Sequence, residues 1–148
     1  MANFHMRKKL PMLLLALLLI GSGCSKQKEF SWSDSIAALA QKGWEINVSL
    51  EGNTYLNSEL QHYGYKGTVQ LDAWVVGTDP LSGYDAPGSY YSALFYKLNT
   101  EAMAKDTYDT LIHSGLSSQY KAALFGTVVV RTNSATAMEI TGGTYATI

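Results

Sequence analysis

The sequence predicts an α+β fold in which an antiparallel sheet packs against helices, and two patterns support this prediction. Apolar and polar residues alternate over residues 44–50, and residues 68–77 place Val69, Leu71, Ala73 and Val75 on one face, which is the period of half-buried strands. Between and after these strands lie segments with apolar residues three or four positions apart, bounded by residues that cap or end helices. Because the chain contains a single cysteine, Cys24, it cannot form an internal disulfide bond. An apolar core must therefore stabilise the fold.

The first half of the domain is predicted to contain a helix, a strand, a second helix and a second strand. Ser33 or Asp34 is expected to cap the first helix, and Gly43 follows its end, as glycine commonly does. The later elements are a strand over residues 44–50, a helix over 55–63 and a strand over 68–77.

The second half begins with residues 78–89, which contain two prolines and two glycines and predict a loop. Asn99 or Thr100 is expected to cap a helix that reaches about His113, and Ser134 begins a short terminal helix. The strands of this half are predicted over residues 90–98 and 124–132.

After the first helix, the predicted order is therefore strand, helix, strand, strand, helix, strand. This is the ferredoxin-like βαββαβ order, an antiparallel sheet with helices on one face. We expect that fold, with an extra N-terminal helix and a short C-terminal helix. The alternative is a different α+β arrangement in which the sheet wraps the first helix, as in cystatin-like folds.

The N-terminus has the composition of an export signal. Basic residues from Arg7 to Lys9 lead into an apolar run over residues 10–20, and small residues separate this run from Cys24. The run is shorter than the roughly 20 apolar residues that a membrane-spanning helix needs. The segment resembles a bacterial lipoprotein signal, although Gly21 stands where such signals usually have an aliphatic residue. The resemblance implies a diacylglycerol on Cys24; the alternative is plain secretion, with Cys24 as a free thiol.

We therefore divide the chain into a signal peptide at residues 1–23, a lipidated cysteine and short tether at 24–31, and one domain at 32–148. Removing residues 1–23 takes away three basic side chains and no acidic ones, leaving 8 basic and 12 acidic residues and a net charge of −4. That balance argues against nucleic acid as a partner, because phosphate binding needs a basic surface.

Two stretches of the domain are similar to small uncharacterised lipoproteins of Gram-positive bacteria. They are residues 94–102, a strand leading into a capped helix, and residues 126–130, a valine-rich run. The resemblance implies an extracytoplasmic location, anchored to the bacterial membrane, and a fold. It implies no activity.

No catalytic, metal-binding or cofactor-binding motif is present in the sequence. His62 and His113 end different predicted helices, and Asp79, Ser82 and Asp85 do not have the spacing of a calcium loop. We therefore expect no enzyme activity, no metal and no cofactor.

Aromatic residues are the one unusual feature of the predicted sheet. With helices on one face only, Trp74 and either Tyr90 or Tyr96 would form an aromatic surface on the open face, flanked by Gln70 and Asp72. The alternative is that these aromatic side chains simply favour strands and cover the sheet against the first helix. We expect a lipid-anchored binding or accessory protein of the cell envelope, with a protein partner or self-association through this surface. A small-ligand or glycan-binding module is the alternative.

Overall fold

The structure, a computed structural model, describes residues 29–81, 90–116 and 119–148. Within these ranges the chain forms a six-stranded antiparallel sheet and four helices, so the α+β prediction is confirmed. The predicted signal, Cys24, most of the tether and residues 82–89 of the predicted loop lie outside the described residues. In chain order the elements are α1 (Trp32–Gln41), β1 (Glu45–Val48), α2 (Gly52–His62), β2 (Leu71–Thr78), β3 (Ser92–Leu98), α3 (Glu101–Ile112), β4 (Lys121–Phe125), β5 (Val128–Thr132), α4 (Ala135–Thr141) and β6 (Ala146–Thr147).

The strand order differs from the predicted ferredoxin-like βαββαβ arrangement. Across the sheet the strands run β1-β2-β3-β5-β4-β6, and each neighbouring pair is antiparallel. In a split βαβ unit, the strands on either side of a helix are parallel and separated by another strand. Here β1 and β2 flank α2 but are direct antiparallel neighbours, with Val48 opposite Val75. The predicted topology is therefore wrong at its first unit.

The single strand predicted over residues 124–132 is also wrong, because this segment is a hairpin. Phe125 of β4 lies opposite Val128 of β5, so only two residues form the loop. Gly126, the first of them, has a φ of +59°, which suits the first loop position of a two-residue hairpin. β5 consequently inserts between β3 and β4, and β6 adds a further short strand beside β4.

Helices cover both faces of the sheet, which corrects the expectation of an open face. Successive strand residues point to opposite faces; along β3, Phe95 belongs to one apolar cluster and Tyr96 to the other. Leu39 of α1 and Ala137 of α4 lie in the cluster with Phe95. The helices α2 and α3 supply Leu60 and other residues to the cluster with Tyr96. The sheet is thus the middle layer of three.

The residues that cap three of the helices can be compared with the residues predicted at these positions. Thr100, one of the two predicted residues, caps α3, and Ser134, predicted to begin the last helix, caps α4. Each accepts a hydrogen bond from a backbone N–H three residues on. The cap of α1 is Ser31, which accepts from the N–H of Asp34, so the predicted caps Ser33 and Asp34 lie inside the helix. Of the described helices, none is long and apolar enough to cross a membrane.

Candidate functional site

Two asparagines of α2 fix this helix against the start of β2. The Asn57 side chain both accepts from the backbone N–H of Val69 (2.8 Å) and donates to its carbonyl (2.9 Å). One turn earlier, Asn53 accepts from the N–H of Leu71 through its side-chain oxygen at 2.7 Å. Because these bonds join helix to strand, they set the distance between α2 and the residues that follow on β2.

Trp74 lies in the gap between α2 and the sheet. It is the cross-strand partner of Tyr96, and the two rings stack at 6.1 Å between centroids and 16° between planes. Gly52, at the start of α2, lies directly against the Trp74 ring, and a Cβ added there would collide with the indole. The absence of a side chain at Gly52 therefore allows the helix and the indole to lie this close.

A cavity of about 320 Å³ opens beside this aromatic stack, under α2. The exposed Tyr55 (61% accessible) marks its solvent side and the buried Tyr96 (2%) its inner side. The volume lies at the lower end of the roughly 300–1,000 Å³ typical of small-molecule sites. Its lining residues are Tyr55, Leu56, Glu59, Trp74, Leu94, Tyr96, Tyr120 and Arg131.

An ion pair forms the polar part of the cavity wall. The Arg131 Nη1 of β5 donates to the Glu59 Oε1 of α2 at 2.6 Å, and the Tyr63 hydroxyl donates to the same oxygen at 3.3 Å. The two charged side chains are only 15% and 27% exposed, respectively. The guanidinium also lies 5.4 Å from the ring centroid of Tyr120. The pair is thus held by Tyr63 on the side of Glu59 and by Tyr120 on the side of Arg131, and its two formal charges cancel.

The charge states of these groups follow from their surroundings. Burial raises the pKa of the Tyr96 hydroxyl to about 12, although the nearby Arg131 cation opposes the rise. Burial acts to lower the pKa of Arg131, but Tyr96 and Glu59 outweigh it, so its pKa lies above the ordinary value. At neutral pH the cavity therefore contains a charged guanidinium and a neutral phenol.

Two N–H donors on residues that line this cavity have no hydrogen-bond partner within the described ranges. They are the Trp74 Nε1 and the Arg131 Nε, and both atoms are buried. Most buried polar groups in folded proteins are hydrogen-bonded, and leaving one unpaired costs about 1–3 kcal/mol. Two such donors on residues lining one cavity are the features of this site that most need an explanation.

The structure brings together only part of the predicted aromatic surface. Trp74 and Tyr96 are stacked, but they lie under α2 and α3 rather than on an open face or against the first helix. Tyr90 precedes β3, near the end of the sheet where Thr78 pairs with Ser92, and is exposed. It is therefore not part of this pair.

Gln70 and Asp72 do not flank the aromatic pair in the predicted way. The register of β2 shifts between Leu71 and Ala73, so the strict alternation assumed for residues 68–77 breaks at Asp72. Asp72 is exposed and accepts a hydrogen bond from the Asn99 side chain at 3.2 Å, while the backbone carbonyl of Gln70 accepts from the N–H of Asn99. A second, smaller cavity of about 210 Å³ includes Asp72 and Trp74.

The sequence did not indicate four other side chains that supply the remaining aromatic and charged groups of the cavity wall: Tyr55, Glu59, Tyr120 and Arg131. A signal for one of them was present. Val129 and Arg131 are two positions apart on β5 and so share a face, and Val129 is fully buried. A charged residue at such a position must find a partner, and Glu59 supplies it.

The remaining candidates form no site among the residues that the structure describes. His62 contacts the ring of its neighbour Tyr63, and the His113 Nδ1 lies 2.7 Å from the backbone carbonyl of Asp109. No group of three or more His, Cys, Asp or Glu side chains suited to a metal occurs in the described part of the chain. Ser82 and Asp85, two of the three loop residues considered as calcium ligands, lie outside the described residues.

Comparison with known proteins adds no family to these observations. No family model, no curated protein and no solved structure matches the chain.

The raised pKa of Tyr96 predicts a loss of stability at alkaline pH. In the unfolded chain a tyrosine titrates near 10, whereas Tyr96 in the fold titrates near 12, so above pH 10 the unfolded state binds fewer protons. The contribution of Tyr96 is thus complete below about pH 10 and is lost as pH rises to about 12, by about 1.4 kcal/mol per pH unit. Urea unfolding between about pH 9 and 11 measures this slope.

The control separates Tyr96 from other titrating groups. Tyr96→Phe should reduce the alkaline slope without abolishing it, because burial also raises the pKa of Tyr145 to about 12. An identical slope in wild type and Tyr96→Phe would show that the hydroxyl of Tyr96 is not protected by burial.

Proposed function

We propose that this chain is a lipid-anchored, extracytoplasmic binding protein that takes a small ligand in the cavity between α2 and the sheet. Two features support the proposal. The sequence around Cys24 resembles a lipoprotein signal, and the residues that line the cavity supply aromatic rings and two buried, unpartnered donors. We propose a binding role rather than catalysis, because neither the sequence nor the site suggests a nucleophile with an adjacent base.

The unpartnered donors Trp74 Nε1 and Arg131 Nε are the single observation that carries the small-ligand proposal. Ligand pockets are mostly apolar, with a small number of polar groups that fix the orientation of the ligand. The cavity fits that description, with a buried ion pair beside aromatic rings. A ligand that accepts hydrogen bonds from both donors would offset the cost of keeping them buried.

A second candidate function is self-association or protein binding at the edge of the sheet. β1 is the outermost strand on its side and pairs only with β2 among the described strands. Val48 and Leu50 beside this edge are 70% and 98% exposed. Exposed strand edges with apolar side chains are sites of pairing with other chains. This edge takes the place of the open sheet face that the sequence suggested.

Native mass spectrometry of the full chain, extracted gently in detergent from its own host, distinguishes these candidates. We expect a monomer with a bound small molecule, and the same species in a Tyr90→Ala variant, because Tyr90 lies outside the lining of the cavity. Trp74→Ala should lose the bound molecule. A bare monomer in every preparation would contradict the small-ligand proposal, and a bare dimer would favour the second candidate.

Anchoring is tested separately at Cys24. Cys24→Ser should abolish incorporation of a labelled fatty acid into the chain, because the thiol that would carry the diacylglycerol is lost, whereas Ser25→Ala should retain it. Two acyl chains give stable attachment, at about 0.8 kcal/mol per buried methylene. Label retained in the Cys24→Ser protein would contradict the anchoring proposal.

A further inference from the structure

We infer that the cavity beside Trp74 takes an uncharged, flat, unsaturated ring compound that carries a carbonyl oxygen as a hydrogen-bond acceptor. The inference rests on the proposed small-ligand function and names the class of ligand. Three properties of the site lead to it: the shape of its walls, the type of its unpartnered groups and its charge.

The walls of the cavity favour a flat ring. The Trp74 and Tyr96 rings are nearly parallel, at 16° between planes, and Tyr55 is tilted by 54° against Trp74 with a centroid distance of 6.1 Å. Tyr120 adds a fourth aromatic ring to the lining. Aromatic rings pair with one another in offset-stacked or edge-to-face geometry, at centroid distances of about 4.5–7 Å. A flat ligand can adopt either geometry beside these rings.

The unpartnered groups require an acceptor. Both the Trp74 Nε1 and the Arg131 Nε donate hydrogen bonds and accept none. A carbonyl oxygen has two lone pairs and no donor, so it complements them without adding a donor that would itself need a partner. A sugar fits less well, since each of its hydroxyl groups brings a donor as well as an acceptor, whereas the two unpartnered groups need only an acceptor.

The charge of the site favours a neutral ligand. Arg131 is already paired with Glu59 at 2.6 Å, so the two formal charges cancel across the cavity wall. An anionic ligand would gain attraction from the guanidinium but meet repulsion from the Glu59 carboxylate. Moving a charge into this partly buried place would also cost solvation that no free counter-charge of the lining offsets.

Three bicyclic probes of similar size test the inference by calorimetric titration of the full chain against a matched detergent blank. Coumarin is uncharged and has a carbonyl acceptor, coumarin-3-carboxylate adds a negative charge, and indole replaces the acceptor with a donor. We expect coumarin to bind about tenfold more tightly than either of the other two, the effect of one well-made hydrogen bond.

Trp74→Phe keeps an aromatic ring and removes the indole N–H. It should weaken coumarin binding about tenfold and leave indole binding unchanged. Trp32→Phe is the matched control, since Trp32 packs against Phe95 on the other face of the sheet. Arg131→Lys keeps the charge beside Glu59 but removes the Nε donor, and should weaken coumarin binding in the same way.

The outcomes separate this inference from the proposal on which it rests. Preferential coumarin binding that Trp74→Phe and Arg131→Lys abolish supports both. Equal binding of coumarin and indole, or tightest binding of the carboxylate, overturns the ligand class while leaving a cavity that binds small molecules. If none of the probes binds, the ligand class is overturned, and the bound mass in the native preparation alone then decides the proposed function.

Discussion

Leu39→Ala and Leu60→Ala are each expected to lower the free energy of unfolding by about 2–5 kcal/mol, the range for deleting a buried leucine side chain. Leu39 lies in α1 on one face of the sheet and Leu60 in α2 on the other, and both are completely buried. Comparable losses on the two faces follow only if helices cover both. Urea unfolding followed by circular dichroism measures the change.

The matched control for this pair is Leu50→Ala, at a leucine that is 98% exposed. It should change the free energy of unfolding by no more than about 0.5 kcal/mol. If either Leu39→Ala or Leu60→Ala behaved like this control, one face of the sheet would be open and the three-layer arrangement would be wrong.

Glu59→Gln is expected to cost about 2–3 kcal/mol of stability. The substitution keeps the shape of the side chain but leaves the Arg131 guanidinium, 15% exposed, without its counter-charge. Breaking a buried ion pair typically costs about 3–5 kcal/mol, and the residual exposure of this pair reduces that figure. Chemical unfolding at neutral pH gives the value.

Two comparisons make this second prediction specific. Asp109→Asn breaks the exposed pair between Lys105 and Asp109, with side chains 67% and 41% accessible, and should cost much less stability than Glu59→Gln because solvent screens the pair. The double variant Glu59→Leu with Arg131→Met should be more stable than Glu59→Gln, because it removes both charges together. An effect of Glu59→Gln no larger than that of Asp109→Asn would mean that solvent already screens the Arg131 charge.

The sequence predicted the elements whose signals are local. Thr100 was one of the two caps expected for α3, and Ser134 was expected to begin the last helix; in the structure Thr100 caps α3 and Ser134 caps α4. The alternation over residues 44–50 likewise identified β1, although the strand is shorter, Glu45–Val48. Such features depend on residues within one or two turns of each other.

Besides the pairing of β1 with β2, the predicted number of strands was wrong because of one residue. Gly126 lies between two apolar runs, and the whole segment was interpreted as one strand instead of β4 and β5. Glycine inside a strand pattern indicates a bulge or close approach, and at a two-residue turn the same residue begins a hairpin. The sequence pattern alone does not distinguish these, whereas the pairing of Phe125 with Val128 does.

The site was predicted only in part because its groups meet through strand order. Trp74 and Tyr96 were both selected for their aromatic character on neighbouring strands. The contact between Glu59 and Arg131 spans 72 positions and exists because β5 lies beside β3 and faces α2. No local sequence pattern indicates which residues 72 positions apart will be in contact. The cavity and its donors therefore could not be predicted without the strand order.

The central claim is that the buried indole N–H of Trp74 donates a hydrogen bond to a bound ligand. NMR spectroscopy observes this N–H group directly. The ¹⁵N-labelled chain has three indole N–H signals, from Trp32, Trp44 and Trp74, and Trp74→Phe identifies the last by its loss. We expect saturating coumarin to move the Trp74 signal downfield, as a new hydrogen bond does, while the other two stay in place. An unchanged Trp74 signal, or movement of the Trp32 or Trp44 signal instead, would contradict the account.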